Sequence, residues 1–326
     1  MNFRQLATSL ACTLGLFSAN TAVFAQAAYP DHTVKIIVGL PAGGSVDMIA
    51  RALGQKLSAQ TGQPFIIDNR AGGSGQIGMP AVAKSPADGY TLTVSPASFL
   101  TTNKSIFKTL PYDPETDFTP VARLVNQPMV LVVKDKQKYP TMAAFVAAAK
   151  ANPGQITFAS SGDGSPQHLA GLMFESRMKV RMVHIPYKGG ALAINDLLGG
   201  NVDLLFAPLP EALPHIKSGK LTALAIMNDK RSPLIAETPT MKEAGIDNMN
   251  MVTWIGLLAP ARTPRPLIDQ LNRQVHAILK SPEVTAQLRD AGMDVMPTTP
   301  EQFQKTIAQE IKLHAELVKA SGLVPQ

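Results

Sequence analysis

The stretch that decides the fold is VKIIVGLPAGGSVDMIARALGQKL, residues 34–57. Residues 35–38 are typical of a short buried strand, and residues 39–45 form a Gly-rich loop. Residues 46–57 then carry apolar side chains at helical spacing. A strand, a loop and a helix start bring main-chain N–H groups to one point at the positive end of the helix dipole. This arrangement predicts a site that holds a carboxylate without transforming it.

Composition limits the class of protein. The chain has 326 residues, of which 45% are hydrophobic and 17% charged, which is enough for about two domains with apolar cores. The net charge is +6, but the basic residues are spread along the chain without a run. A nucleic-acid-binding protein should show clustered basic residues, so we expect no nucleic-acid partner.

The first residues have the pattern of a secretory signal peptide. Arg4 precedes a mostly apolar segment, and small residues near position 25 fit a cleavage site after Ala25 or Ala27. We therefore expect residues 1–25 to be a signal peptide and the mature protein to be exported. The only cysteine, Cys12, lies inside this segment, so the mature chain has no disulfide and no thiol chemistry.

A second unit repeats the order of strand and Gly-rich loop. A strand at 65–68 precedes a loop at 69–78 that contains G-x-G-x-x-G at Gly73, Gly75 and Gly78. A dinucleotide site also needs an acidic residue about 20 positions on, which is missing here, and Pro80 interrupts the expected helix. The loop is therefore either a tight turn that needs positive φ or a loop whose amides face a ligand.

The remaining pattern predicts an α/β protein of two domains. A third strand at 91–94 ends at Ser95, and two strand-like segments flank residues 126–128, which we interpret as a domain crossing. A strand at 155–159, a polar loop and a helix capped by Ser165 open the second domain. The chain returns near 249–254. The predicted limits are 28–126 with 250–326 for domain 1 and 127–249 for domain 2.

We considered catalytic and metal chemistry. His168 lies near Ser160, Ser161 and Ser165, as an exported serine hydrolase would require, but no G-x-S-x-G motif occurs. The histidines lack the spacing of metal ligands. We expect no enzyme activity, no cofactor and no metal. Asp47 and Arg51 are spaced as a local ion pair, and Asp47 could also cap the loop.

The sequence resembles a known family. The segment 41–47, with Ala50 and Arg51, resembles the P-x-G-G-x-x-D…A-R signature of the Bug (Bordetella uptake gene) family, the solute-binding proteins of tripartite tricarboxylate transporters. The resemblance continues through Asn69, residues 72–78, 88–91, 111–114, 162–168, 186–189 and 239–240. It covers essentially the whole mature chain.

The resemblance implies a type II-like periplasmic binding protein. Each domain would be a mostly parallel sheet flanked by helices, with the ligand cleft between them. The protein would be a monomeric receptor that delivers a small carboxylate to a membrane permease, or alternatively one that signals to a membrane sensor. Family relatives often have Phe where this chain has Leu40, so the ligand class stays open. The expected ligand-binding residues are Leu40, Pro41, Ala42, Gly43, Gly44, Asp47, Gly73, Ser74, Ser95, Ala97, Ser160, Ser161, Gly162, Ser165, His168 and Asp203.

Overall fold

The computed structural model of the chain describes residues 29–320 and residue 325; the expected signal peptide at 1–25 lies outside them. The strands are β1 Val34–Val38, β2 Phe65–Asn69, β3 Thr91–Pro96, β4 Phe118–Val133, β5 Thr157–Ser160, β6 Val183–Pro186, β7 Leu204–Pro208, β8 Thr222–Ile226, β9 Val252–Pro260 and β10 Asp294–Val295. The helices are α1 Ser45–Thr61, α2 Gly78–Ala83, α3 Ala97–Thr101, α4 Asn103–Ile106, α5 Met142–Ala151, α6 Pro166–Met178, α7 Gly190–Gly199, α8 Leu209–Lys217, α9 Arg265–Leu279, α10 Pro282–Asp290 and α11 Pro300–Ala320.

The strands form two groups that share β4. In the first group the order is β2-β1-β3-β9-β4, and in the second it is β4-β7-β5-β6, with β8 and β10 also paired to β4. We call these groups, with their helices, lobe 1 and lobe 2. Strands β1, β2 and β3 are parallel to one another, as are β5, β6 and β7.

The crossing strands add antiparallel pairs to the mostly parallel strands of each lobe. Strand β9 pairs antiparallel with β3 and β4, and β4 pairs antiparallel with β7 and β8. The physical reason is topological, because a chain that crosses to the second lobe and returns must run in opposite directions on the two crossings. Residues 118–128 of β4 pair with β9, whereas residues 129–133 pair with β7 and β8. The two strands expected around 126–128 are therefore one continuous strand.

Helix α1 follows directly from its sequence. It ends at Gly62, whose φ of 73° is the left-handed conformation that glycine adopts without strain. Its buried face, Ile49, Leu53 and Leu57, packs into the same core as Leu271 of α9. Each such fully buried aliphatic side chain contributes about 1.5–3 kcal/mol, which holds the helix start in place below the loop after β1.

The strand directions determine where the loops lie. Because β1, β2 and β3 are parallel, the loops that follow them lie at one edge of the lobe 1 sheet. The loop after β5, at residues 161–165, extends in the same way from the lobe 2 sheet. In the part of the chain that the structure describes, we find no helix with the length and apolar character needed to cross a membrane.

Candidate functional site

A cavity of about 590 Å³, partly open to solvent, lies between the two lobes. We call it the inner cavity. Lobe 1 lines it with Leu40, Ser45, Val46, Ser74, Pro96, Ser98, Phe99 and Asn103. The crossing strands contribute Gln127 and Thr253, and lobe 2 contributes Ser161, Asp163, Ser165, Pro166, Gln167, Gly190, Pro208 and Glu211.

An outer cavity of about 790 Å³ adjoins the inner one and shares some of its lining. The shared residues are Leu40, Ser74, Ser161 and Asp163. Further expected site residues line only the outer cavity, namely Pro41, Gly73 and Gly162. The first loop and the lobe 2 loop therefore border the same space, as the sequence predicted.

The two lobes are in direct contact around this space. An ideal Cβ on Gly162 of lobe 2 would lie 3.2 Å from Ser74 Oγ of lobe 1. Ser45 Oγ of lobe 1 donates a hydrogen bond to Glu211 Oε1 of lobe 2, at 3.2 Å. The structure thus has its lobes closed against each other at the rim of the cavity.

Asp47 holds the first loop in shape and does not line either cavity. Its carboxylate accepts hydrogen bonds from Gly43 N at 3.0 Å, Arg51 Nε at 2.9 Å and Asn69 Nδ2 at 3.0 Å. Asn69 Nδ2 also donates to the Leu40 carbonyl. Burial raises the pKa of Asp47, but the bonds from Arg51, Gly43 and Asn69 outweigh it and hold the pKa below its ordinary value. Asp47 is a positioning residue.

The glycines of the first loop allow its backbone conformation. Gly43 has a φ of +92°, which a residue with a Cβ rarely adopts. Gly44 is the N-cap of α1 and makes no side-chain cap bond. Gly43, Gly44 and Ala42 do not line the cavities. Nothing lies within 4 Å of an ideal Cβ on Gly43, and one on Gly44 would lie 3.9 Å from Glu211 Oε1.

The second Gly-rich loop is a tight turn that also faces the cavity. Its short 3-10 turn, Gly73–Gly75, contains Ser74 at φ 51°. Asn103 Nδ2 donates to the Ser74 carbonyl at 2.8 Å and so fixes the turn. An ideal Cβ on Gly75 would lie 2.5 Å from the Phe99 ring. Close packing and positive φ therefore account for the glycines, as the tight-turn interpretation predicted, and Gly73 and Ser74 also line the cavities.

In the lobe 2 loop, the serines divide into lining and buried residues. Ser161 and Ser165 line the inner cavity. Ser161 Oγ donates to Gln167 Oε1 at 2.8 Å, and Ser165 Oγ caps α6 by accepting from His168 N at 3.3 Å. Ser160 is fully buried, donates to the Gly162 carbonyl and lines neither cavity.

Behind this loop lies a cluster of Asp163, His168 and His184. The two imidazole rings stack at 3.7 Å, and Asp163 Oδ1 lies 3.6 Å from His184 Nδ1. Burial lowers the pKa of His168; burial and the neighbouring His168 lower the pKa of His184 to about 4. Both rings are therefore neutral at pH 7. The cluster supports the lobe 2 loop from below.

The same cluster could suggest a metal site or a catalytic triad. The three residues can bring one ligand atom each within 4.8 Å of one another, which sequence spacing alone did not reveal. However, His168 Nδ1 already accepts the Gly164 N–H at 3.1 Å, so the lone pair that a metal needs is used. Ser160 Oγ lies 2.6 Å from His184 Nε2, but this serine is buried away from the cavities. Ser165 meets the main chain of His168, not its ring.

Three expected ligand-binding residues lie elsewhere. Asp203 accepts bonds from Thr157 N and Lys138 Nζ at the start of β5, the opposite end from the cavity. Asp203 directly precedes β7, which is parallel to β5, so it lies at the amino ends of these strands, whereas the loops that line the cavities follow the carboxyl ends. Ser95 is buried and donates to the Pro96 carbonyl. Ala97 borders a separate cavity beside α11.

Sequence reasoning missed the polar residues at the floor of the inner cavity. Gln127 is 2% exposed and Thr253 is 7% exposed, and they are partners across β4 and β9. Gln127 Nε2, Thr253 Oγ1 and Glu211 Oε2 are buried without a hydrogen-bond partner in the described part of the chain. Such atoms are rare in folded proteins and indicate a place for a ligand or water. The expected domain crossing at 126–128 was the only available signal.

Comparison with known proteins identifies the family. Residues 49–323 match the family described as "Tripartite tricarboxylate transporter family receptor". The chain is 38% identical to protein BugT of Bordetella pertussis over 97% of this chain and 98% of that protein.

Solved structures agree in fold. R. palustris Rpa4515, solved with adipate, is 34% identical with a TM-score of 0.89, covering 91% of this chain and all of that one. The periplasmic binding protein BugD is 33% identical with a TM-score of 0.86, covering 91% of this chain and all of that one. The predicted binding-protein fold is confirmed. These relatives are receptors rather than enzymes, which also confirms the expectation of no catalysis. The chain belongs to the Bug-type receptors of the tripartite tricarboxylate transporter family.

Proposed function

We propose that this chain is a periplasmic receptor that binds a small carboxylate in the inner cavity and delivers it to the permease of a tripartite tricarboxylate transporter. The observation that carries the proposal is the cavity between two lobes whose floor presents buried polar atoms without partners. The structure of the R. palustris relative with adipate supports a carboxylate as ligand.

Neutral donors would hold the carboxylate. Lys and Arg do not occur among the residues lining the inner cavity; Lys188 lines only the outer one. Gln127 Nε2 is a free buried donor, and the hydroxyls of Ser74 and Ser98 also line the space. Hydrogen bonds to a charged acceptor in a site shielded from water are about twice as strong as neutral ones. Leu40, Ser161 and Ser165 would complete the contact surface.

We also propose the domain limits 28–126 with 250–326 and 127–249. Strand β4 changes partners between Pro128 and Met129, which supports the first crossing. Strand β9 begins at Val252 and pairs within lobe 1, which supports the return near 250. These two crossings would act as the hinge when the lobes close on a ligand.

Ligand binding by the purified chain tests the proposal. After unfolding and refolding to remove carried-over solute, a panel of mono-, di- and tricarboxylates is titrated by calorimetry and thermal shift. A ligand at 100 times its Kd raises stability by about 2.7 kcal/mol. Ser161→Trp should fill the cavity and abolish binding, whereas the exposed Ser218→Trp should not. The absence of any response from the panel would reject the proposal.

Location and partner need cellular tests. We propose cleavage after Ala25 or Ala27, a periplasmic monomer, and a permease as partner. Mass spectrometry of the protein from a periplasmic extract should give a chain starting at Gln26 or Ala28. Deleting the permease should abolish receptor-dependent uptake. If uptake persists while a transcriptional response to the ligand is lost with the receptor, the alternative of a sensor-docking receptor is correct.

A further inference from the structure

Glu211 is an unusual residue in a cavity for an anion. It lies in the first turn of α8 and lines the inner cavity. Its carboxyl group accepts a hydrogen bond from the Ser45 hydroxyl at 3.2 Å, at the start of α1. This chain's own carboxyl group thus occupies part of the helix N-terminus that the sequence predicts to hold the ligand's carboxylate.

The second carboxyl oxygen has no such partner. Glu211 Oε2 is buried and accepts no hydrogen bond from any residue that the structure describes. A buried acceptor left unpaired is costly, so this oxygen needs a donor from within the cavity. The absence of a side chain at Gly190 leaves space for Glu211 Oε2, because an ideal Cβ on Gly190 would lie 2.1 Å from that oxygen.

Among the residues that the structure describes, the inner cavity has no positively charged lining residue that could pair with Glu211. The charged residues that line the inner cavity are Asp163 and Glu211, both acidic. Of the ion pairs found in residues 29–320, none includes Glu211. Burial raises the pKa of Glu211, so its charged form is disfavoured unless a cation lies beside it. An ammonium group of a ligand would stabilise that charged form, whereas a second carboxylate would not.

A hydrogen-bond donor for the ligand lies on the crossing strands at the floor of the inner cavity. Gln127 Nε2 is a buried donor without a partner, on a side chain that is 2% exposed. The inner cavity therefore presents a free donor at the crossing strands and an unpaired carboxyl oxygen at α8. A ligand that satisfies both carries an acceptor group and a donor group.

We propose that Glu211 determines ligand class: its Oε2 accepts from an ammonium group of the ligand, so that the receptor prefers amino carboxylates to dicarboxylates of the same length. This inference rests on the proposed function, since it assumes that the ligand's carboxylate is held by neutral donors in the inner cavity. It sets this chain apart from the R. palustris relative solved with adipate, a dicarboxylate.

Matched ligand pairs test the inference. Calorimetry compares α,ω-dicarboxylates with ω-amino carboxylates of the same chain length, for example adipate with 6-aminohexanoate, together with shorter members of both series. The wild-type protein should bind the best amino carboxylate at least tenfold more tightly than its dicarboxylate counterpart. Glu211→Gln keeps the size of the side chain and removes the charge, and should reduce that preference at least tenfold. The exposed Glu237→Gln, in lobe 2, is the control for loss of one negative charge and should keep it.

Each result decides the matter. Equal or tighter binding of dicarboxylates by the wild-type protein overturns the inference and leaves the proposed function intact. An unchanged preference in a folded Glu211→Gln protein overturns the role of Glu211. Failure of every member of both series to bind overturns the inference, and the proposed function is then decided by the wider panel of mono-, di- and tricarboxylates. If Glu211→Gln does not fold, the wild-type comparison alone still accepts or rejects the ligand class.

Discussion

At the scale of single residues, the site depends on side chains that never touch its cavity. Asp47 is 4% exposed and links the loop after β1 to α1 and β2 through Gly43, Arg51 and Asn69. Arg265 and Asp269 form another pair of the same i,i+4 spacing, but on the surface. The two pairs differ chiefly in burial and in the number of bonds to the acid.

We therefore predict unequal effects for Asp47→Asn and Asp269→Asn. Loss of the buried charged acceptor should lower the free energy of unfolding by about 1–3 kcal/mol, whereas loss of the exposed pair should cost less than about 1 kcal/mol. Asp47→Asn should also weaken ligand binding, because the Leu40 carbonyl loses its fixed partner Asn69. Urea unfolding and calorimetry measure both quantities. Equal stability losses in the two variants would contradict this role for Asp47.

Single residues also show where sequence reasoning stops. Gly-rich loops next to strands are visible in the sequence, so Leu40, Ser74 and Ser161 could be predicted near the cavity. Gln127 Nε2 has no hydrogen-bond partner because no acceptor in the described part of the folded chain lies near it. A local sequence pattern does not encode which residues come together in the fold. Asp203 was misplaced because it precedes β7 and so lies at the amino end of a strand, away from the loops that line the cavities.

At the scale of elements, strongly periodic helices were predictable and short or proline-containing ones were not. Helix α1 begins at Ser45, one residue before the expected segment 46–57, and α6 begins at Pro166, directly after its expected cap Ser165. Helix α8 was missed because Pro214 disfavours a helix in isolation, whereas Pro210 lies in the first turn, where proline is tolerated. Its second proline lies inside the helix, and its apolar face packs into lobe 2 through Ala212 and Leu213. Tertiary burial thus created the element that carries Glu211.

The N-caps of α6 and α5 give a matched pair of variants. Ser165 Oγ accepts from His168 N, and Thr141 Oγ1 accepts from Ala144 N at 3.1 Å. Ser165→Ala and Thr141→Ala should each lower stability by about 1 kcal/mol. Only Ser165→Ala should weaken binding, because only Ser165 lines the cavity. Thermal unfolding and calorimetry test this. A binding defect in Thr141→Ala of the same size would show that the effect is merely lost stability.

Helix α11 contains a pH-sensitive contact. His314 Nδ1 lies 2.9 Å from Thr101 Oγ1 of α3, and burial lowers the pKa of His314 to about 4. Because the unfolded chain binds a proton near pH 6.5 and the folded chain does not, stability is full above pH 6.5 and falls as the pH drops toward 4. When the pH is lowered from 7 to 5, the free energy of unfolding measured with urea should fall by about 2 kcal/mol less in His314→Gln than in the wild-type protein. Parallel pH profiles for the two proteins would contradict the assignment.

At the scale of the whole molecule, the ligand site exists only where the two lobes meet. Strands β4 and β9 join the lobes and carry Gln127 and Thr253 at the cavity floor. The rim is formed by contacts between lobes, such as Ser45 with Glu211. A ligand that bonds to the floor and to both walls therefore favours the closed arrangement over an open one by its difference in affinity for the two.

Distance measurements between the lobes test this closure. Cys12 is the only cysteine in the sequence, so a mature chain with two added cysteines can be spin-labelled specifically. Ala71→Cys and Lys188→Cys place exposed labels on the two lobes next to the outer cavity. We expect the label distance to be long and broadly distributed without ligand, and short and narrow at saturation. Ala71→Cys with Gln60→Cys, both in lobe 1, should show no change. A cross-lobe distance that stays constant while calorimetry shows full binding would mean that the lobes do not move as a hinge, and that the cavity admits its ligand through the outer opening alone.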